Sequence, residues 1–104
     1  MAPEVANNIA TIQDICKQMQ VKSLYLVGSA ARVTDYTGKS DLDFLFRFIK
    51  RNDGMPAGSF DYFDLLFKLE EVTGKKVDLI AEERINNKYF LQSISEDKVK
   101  IYEA

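Results

Sequence analysis

This sequence of 104 residues has no histidine and a single cysteine, Cys16. The lack of histidine excludes Ser-His and Cys-His nucleophilic catalysis, histidine general bases and the usual zinc ligands. One cysteine allows neither an internal disulfide bond nor a zinc site built from cysteines alone. Carboxylates, lysines, tyrosines and hydroxyl groups must therefore carry any catalysis, and metal-assisted transfer of phosphorus-containing groups is among the few reactions that this set serves well.

The chain also has little excess charge and no long apolar run. Fourteen basic and sixteen acidic residues leave a formal charge of −2, so there is no basic stripe and stable nucleic-acid binding is not expected. The apolar runs are too short to cross a membrane, and the first residues lack the pattern of a signal peptide. We therefore expect a cytoplasmic protein without membrane contact, folded as one domain over residues 1–104.

Hydrophobic periodicity predicts helices that alternate with strands along the chain. The predicted helices cover residues 3–20, 30–34, 61–73 and 87–96, with Gly74 as a C-cap. The predicted strands cover residues 23–27, 41–48, 76–80 and 98–102, the last of them at an edge. Residues 35–40 and 52–58 are expected to be connections. The order predicts an α/β (α+β) domain with a small mixed sheet of three to four strands backed by helices.

The turn at Gly28 and Ser29 is a candidate phosphate-binding site. A strand is predicted to end there and a helix to follow, which leaves backbone N–H groups free to bind an anion. Glycine permits close approach, the Ser29 hydroxyl adds a donor, and Arg32 lies about one helical turn further on, within reach of the same anion. A Gly-Ser pair alone is more often an ordinary turn with a helix cap, because both residues are common.

Two carboxylates, Asp41 and Asp43, stand at the start of a strand that otherwise reads as buried. Side chains two residues apart share one face of a strand, while Leu42 and Phe44 turn to the core. Carboxylates placed in this way repel each other unless a cation lies between them. The alternative is that one acid caps the strand entry and the other is merely exposed, but acids beside a buried apolar segment are unfavourable without a positive partner.

A third carboxylate, Asp78, lies in another short apolar segment. If its strand neighbours the strand of Asp41 and Asp43, the three carboxylates suit a site for two metal ions. Asp78 would then bind the ion that activates an attacking hydroxyl and would accept its proton. A single aspartate in a strand more often marks an edge or a turn, so the combination of three favours the metal site.

The ordered set Gly28-Ser29, Asp41-x-Asp43 and Asp78 resembles the DNA polymerase β-type nucleotidyltransferase superfamily. Within that superfamily, the chain is most similar to the minimal nucleotidyltransferases, the MNT antitoxin-like proteins of prokaryotes. The resemblance covers nearly the whole chain and implies the nucleotidyltransferase fold. It also implies an enzyme that binds a nucleoside triphosphate, with ATP as substrate, together with two Mg²⁺ ions.

The resemblance implies a role for each motif residue. Gly28 and Ser29 would hold the β- and γ-phosphates, and Asp41 and Asp43 would coordinate both metal ions, with Asp78 on the catalytic ion. The expected catalytic and metal-binding residues are Asp41, Asp43 and Asp78. The expected nucleotide-binding residues are Gly28, Ser29, Arg32 and Ser40.

The same resemblance implies a protein partner. Such proteins often pair with a HEPN-type toxin ribonuclease encoded nearby, and family members can transfer AMP from ATP to a tyrosine of that toxin, which silences it. A chain without histidine cannot itself contain the Arg-x₄-His type of toxin site, so the partner must be a separate protein. A homodimer is a further expectation that the sequence leaves open.

Two departures from the family pattern fall near the phosphate turn. Residues 30–40 form a spacer of eleven residues between Ser29 and Asp41, one more than the commonest length, and Val33 follows Arg32 where a glycine is common. An insertion in a surface loop has a small energetic cost. Neither departure removes a metal ligand, although both bear on how phosphate is held.

Two other functions remain open at this point. One is a non-catalytic module that binds and blocks a toxin, in which case changing both Asp41 and Asp43 would leave neutralisation intact. The other is a small-molecule nucleotidyltransferase of the aminoglycoside type, which normally needs extra structure to hold its acceptor. A neighbouring gene for a helical protein with an Arg-x₄-His pattern would favour the toxin-linked functions.

Overall fold

The computed structural model describes residues 1–32, 41–55 and 62–104. Its strands are β1 (Val21–Val27), β2 (Leu42–Phe48), β3 (Val77–Ala81) and β4 (Val99–Glu103). Its helices are α1 (Pro3–Ala6), α2 (Ile9–Gln18), α3 (Ser29–Arg32), α4 (Tyr62–Thr73) and α5 (Lys88–Ser95), and a 3₁₀ turn spans Glu82–Arg84. The four strands form one sheet in the order β3-β2-β1-β4.

The sheet is mixed, as the sequence predicted. β1 pairs antiparallel with β2 and with β4, whereas β2 pairs parallel with β3. Parallel neighbours need a crossover between them, and the connection from β2 to β3 contains α4. Gly74 ends α4 with φ +67° and donates its N–H to the Glu70 carbonyl at 2.9 Å, which confirms it as the C-cap. The predicted edge position of β4 is also confirmed.

The main core lies between one face of the sheet and the helices α2 and α4, and we call this side of the sheet the helix face. Along β2 the helix face carries Leu42 and Phe44, both fully buried. Their partners from the helices include Ile12 of α2 and Leu65 and Leu69 of α4, which belong to the same cluster of buried residues. Because strand side chains alternate, the residues between them project from the other side of the sheet.

The predicted helix over residues 3–20 is wrong in one respect, because the chain forms two helices, α1 and α2, separated by Asn7 and Asn8. Asparagine offers its backbone alternatives to helical hydrogen bonding. The Asn8 side-chain amide donates to the Glu4 carbonyl at 2.7 Å, and the backbone of Asn8 has a non-helical φ of −126°. The apolar positions of α2 keep their predicted burial, since Ile12, Ile15 and Cys16 all face the core.

Side chains from the helices cover backbone groups on both edge strands. The Tyr62 hydroxyl donates to the Leu79 carbonyl of β3 at 2.7 Å, and the Glu70 carboxylate accepts from the Val77 N–H at 3.0 Å. On the opposite edge, the Gln13 amide donates to the Ile101 carbonyl of β4 at 3.0 Å. These bonds occupy groups through which another strand could otherwise pair.

Four predicted segments fall wholly or partly outside the described residues, one of them by a single residue, since residue 61 of the helix predicted over 61–73 is not described. The short helix predicted at 30–34 is present as α3, but residues 33 and 34 lie outside the description, as do the loop at 35–40 and part of the connection at 52–58. The 3₁₀ turn after β3 was not predicted. Among the described residues, no helix has the length and apolar character needed to cross a bilayer.

Candidate active site

A row of residues across three adjacent strands forms the centre of the candidate site. Val27 at the end of β1 lies opposite Asp43 of β2, and Asp43 lies beside Asp78 of the parallel strand β3. Aligned neighbours on adjacent strands project from the same face of a sheet. The two carboxylates therefore stand side by side on the face away from α2 and α4, which we call the carboxylate face.

Asp41 lies one residue before β2 and is exposed, as is Asp78, whereas Asp43 between them is half-buried. The start of β2 is fixed by the Leu42 N–H, which donates to the Lys76 carbonyl next to β3 at 3.0 Å. Burial raises the pKa of the Asp43 carboxyl, and the negative charges of Asp78 and Asp41 raise it further. Asp43 is thus the point at which all three acids interact, and a cation there would relieve their repulsion.

Gly28 packs directly against Asp43. The glycine has φ +71°, a left-handed conformation that other residues adopt only with strain. A Cβ atom placed on it would lie 2.7 Å from Oδ2 of Asp43, which is closer than such atoms can approach. The missing side chain therefore leaves room for the carboxylate, in addition to the phosphate access that the sequence suggested. The Gly28 turn and the Asp43 carboxylate therefore lie in direct contact.

The part of the carboxylate face next to the site is apolar. Leu45, two residues after Asp43, is fully buried although it projects from the side away from α2 and α4. Its neighbours on the adjacent strands are Tyr25 and Ile80. Val27 is also buried. The half-buried carboxylate of Asp43 thus lies on an apolar part of the sheet, which is consistent with burial as the largest cause of its raised pKa.

The donors present suit a divalent cation of the Mg²⁺ type. Carboxylate oxygens are the hard ligands that Mg²⁺ prefers, and the space beside Gly28 holds a carboxylate oxygen that a side chain would displace. Within residues 1–32, 41–55 and 62–104, no three His, Cys, Asp or Glu side chains converge closely enough to form a ready-made metal site. Binding of two ions by the three aspartates therefore stays a prediction.

The structure brings together four of the residues predicted from the sequence, namely Gly28, Asp41, Asp43 and Asp78, and does not describe the side chains of the others. Asp43 contacts the Gly28 position and is influenced by Asp41 and Asp78. Ser29 begins α3 directly after Gly28. The side chains of Ser29 and Arg32 and the whole of Ser40 lie outside the described residues, so their predicted nucleotide contacts stay predictions.

Sequence reasoning missed one residue next to the site, Ala2. This residue is fully buried, and its N–H donates to the Ala30 carbonyl of α3 at 2.9 Å. No motif marks the contact, because it joins positions far apart in sequence through backbone atoms. The only available signal was the apolar character of the segment that contains Ala2 and Val5.

Comparison with known proteins gives a consistent result. Residues 9–101 match the family model described as "Nucleotidyltransferase domain". A Methanocaldococcus jannaschii protein named "putative protein adenylyltransferase" is 40% identical over 82 residues, which cover 79% of this chain and 78% of that protein.

Two solved structures share the fold. One, described as a "putative minimal nucleotidyltransferase", superposes with a TM-score of 0.73 at 22% identity and covers 95% of each chain. The other contains a tri-AMPylated Shewanella oneidensis HEPN toxin in complex with an MNT antitoxin; it has a TM-score of 0.60 at 16% identity, over 95% of this chain and 72% of that one.

Proposed function

This chain belongs to the nucleotidyltransferase domain family, and from that premise we propose that it transfers AMP from ATP to a hydroxyl group of a partner protein, with release of pyrophosphate. The family assignment confirms the resemblance and the enzyme class inferred from the motifs, and the similar solved structures confirm the fold. The nucleotide, the metal ions and the acceptor belong to the proposal, as does the cytoplasmic location.

The observation that carries the proposal is the position of Asp43. Its carboxylate is held between the Gly28 turn and the neighbouring Asp78, so a phosphate group at the turn would adjoin the carboxylates. Nucleotidyl transfer needs phosphate and metal ligands at this proximity, because Mg²⁺ held by the carboxylates would supply positive charge beside the phosphates. A solvated acidic surface would not require a glycine packed against one of its acids.

The residues of the site divide the work as follows. Two Mg²⁺ ions bound by Asp41, Asp43 and Asp78 would neutralise charge on the triphosphate and lower the pKa of the attacking hydroxyl. The backbone at Gly28 and Ser29 would orient the phosphates. Asp78 is exposed on the outer side of the row, where an acceptor can reach it, and would take the proton of that hydroxyl.

We further propose that the acceptor is a separate HEPN-type toxin encoded nearby. Support comes from the described fold similarity to an MNT antitoxin in complex with an AMPylated HEPN toxin. Exposed aromatic side chains are available for a partner, notably Phe63 and Phe67 of α4 and Tyr89 of α5, with exposed fractions of 58%, 60% and 85%. Large exposed aromatic groups in a small domain are typical of interaction surfaces.

The test is transfer of label from ATP carrying ³²P in its α-phosphate to the product of the neighbouring gene, with Mg²⁺ present. We expect label on a tyrosine of the partner with wild-type protein and with the control Asp14→Asn, which makes the same chemical change at an exposed position of α2. The variant with both Asp41→Asn and Asp43→Asn should lose at least about a hundredfold in rate.

Three results separate the alternatives. Equal transfer by the double variant would refute the assigned site. Absence of transfer, together with toxin neutralisation by both wild type and the double variant, would identify a non-catalytic binding module. Label that appears on an aminoglycoside rather than on the protein would identify a small-molecule enzyme.

A further inference from the structure

The first residues of the chain connect the phosphate turn to the core. Ala2 uses both of its backbone groups: its N–H donates to the Ala30 carbonyl at 2.9 Å, and its carbonyl accepts from the N–H groups of Val5 at 3.1 Å and Ala6 at 3.0 Å. Ala2, Val5 and Ala30 are all buried in the same core cluster. This single residue therefore links α1 to α3.

The contact matters because α3 is only four residues long. The carbonyl groups at the end of a helix have no partner within it, and one turn of helix has little stability of its own. The bond from Ala31 N–H to the Gly28 carbonyl, at 3.1 Å, closes the turn locally. The backbone bond from Ala2 joins this turn to a distant part of the chain.

The matched family domain begins at residue 9, so residues 1–8 lie outside it. Pro3 occupies the first turn of α1, where its fixed φ suits the helix and its missing N–H is not needed. Val5, fully buried, anchors α1 in the core. Ala2 and Val5 thus pack this segment against the core.

We propose that residues 2–6 are a positioning element for the nucleotide site, with Ala2 as the positioning residue that holds the turn at residues 28–32 in its binding conformation. The inference rests on the proposed function, in which Gly28 and Ser29 bind phosphate. A turn fixed before the ligand arrives loses less conformational entropy on binding, which raises affinity. Loss of the tether therefore weakens nucleotide binding more than it weakens the fold.

The decisive variant is Ala2→Pro, which removes the N–H and keeps the carbonyl. The φ of Ala2 is −55°, within the range that proline adopts. Two controls retain the donor: Ala2→Gly removes the methyl group, and Ala2→Val adds a side chain of about the bulk of proline. Intact mass must show that Met1 is retained in every sample, because Ala2 has a peptide N–H only when Met1 precedes it.

Two measurements test the proposal. The first is the dissociation constant for the non-hydrolysable ATP analogue AMP-PNP with Mg²⁺, which should rise about fivefold in Ala2→Pro and stay within about twofold of wild type in both controls. The second is hydrogen exchange without nucleotide. Exchange of the Ala31 amide should accelerate in Ala2→Pro, whereas amides of β1 such as that of Leu26 should keep their wild-type rates.

The outcomes are distinguishable from failure of the proposed function. If wild type does not bind AMP-PNP, the proposed function and this inference both fail. If wild type binds and Ala2→Pro binds equally well, only the inference is wrong. Should Ala2→Pro not fold, exchange in wild type decides: an Ala2 amide as protected as that of Ala31 supports the tether, and an unprotected Ala2 amide overturns it.

Discussion

The two faces of β2 differ in composition although they belong to the same seven residues. The helix face carries Leu42, Phe44 and Phe46, all of them buried in the main core. The carboxylate face carries Asp43, Leu45 and Arg47, of which only Leu45 is buried. Because strand side chains alternate, the same strand carries buried apolar side chains on one face and the unfavourable carboxylate of Asp43 on the other.

This contrast shows how a small domain can tolerate an electrostatically strained site. Asp43 is less favourable in its ionised form than an exposed aspartate, since burial and two neighbouring acids raise its pKa. The apolar side chains on the opposite face hold the strand in place despite that repulsion. Substitutions on the helix face should therefore lower stability, whereas substitutions on the carboxylate face should mainly impair function.

The largest expected effect is a loss of stability on substitution of a residue on the helix face. Phe44→Ala should lower the free energy of unfolding by about 3–5 kcal/mol, because it removes a fully buried aromatic side chain and leaves a cavity. Urea denaturation followed by circular dichroism measures the loss. The control is Phe63→Ala, whose ring is 58% exposed, with an expected change within about 0.5 kcal/mol. Equal losses in the two variants would contradict the assignment of the core.

A smaller loss of stability is expected on substitution of Gly28, where the turn after β1 meets the carboxylate face. Gly28→Ala should cost about 1–3 kcal/mol, since alanine is strained at φ +71° and its Cβ would approach Asp43 Oδ2 to 2.7 Å. The same variant should lose most of its AMP-PNP affinity through displacement of that carboxylate. Gly54→Ala, which also has a positive φ of +82° but open space around it, separates backbone strain from the contact. Equal AMP-PNP affinity in both variants would show that the contact is unimportant.

A pH-dependent effect is expected at Asp43 itself. Its pKa in the folded protein lies above the ordinary value of 3.8, which applies to the unfolded chain. At pH values between 3.8 and the raised pKa, the folded state therefore binds more protons than the unfolded state. The favourable contribution of this carboxyl to the free energy of unfolding is fully present below about pH 3.8, and it decreases as the pH rises through the raised pKa. Without metal ions, Asp43→Asn should therefore melt above wild type near pH 7, with a difference that shrinks toward about pH 3.5.

The control for this prediction is Asp14→Asn, which makes the same chemical change at an exposed position of α2. A melting temperature for Asp43→Asn below that of wild type at neutral pH would mean that Asp43 stabilises the fold. The site would then be a structural ion network rather than a strained binding site.

The smallest effect is expected at Arg47, at the far end of the carboxylate face. Its Nε lies 3.3 Å from Glu82 Oε2, and the arginine side chain is 45% exposed. Ion pairs of this exposure contribute about 0.2–1 kcal/mol, so Arg47→Gln should lower stability within that range and leave AMP-PNP binding unchanged. The difference in stability between wild type and Arg47→Gln should shrink as salt is added, because salt screens the ion pair. A large loss of nucleotide binding would extend the site along the whole face.

The sequence predicted the parts of this fold that depend on local patterns. The alternation of Leu42, Asp43 and Phe44 defined both faces of β2, and Gly74 marked the end of α4 because a left-handed cap has a strong residue preference. The break at Asn7 and Asn8 was also visible in principle, since asparagine disfavours helix interiors. The periodic apolar residues on either side concealed it.

The rest depends on contacts between distant segments. Asp43 lies beside Asp78 only because β2 and β3 are neighbours in the sheet. The sequence does not show which strands are neighbours, so this arrangement could be proposed but not predicted. The contact between Gly28 and Asp43 follows from the pairing register of β1 and β2, and one residue of slippage would abolish it. The bond from Ala2 to Ala30 involves backbone atoms alone, so no motif marks it.

The most direct test of the central claim is a calorimetric titration of AMP-PNP with Mg²⁺ into wild type and Asp43→Asn, with melting temperatures measured on the same samples. If the carboxylate face binds the metal–nucleotide complex, Asp43→Asn should bind at least about tenfold more weakly while it melts at or above the wild-type temperature. Equal affinity in the two proteins would contradict the claim.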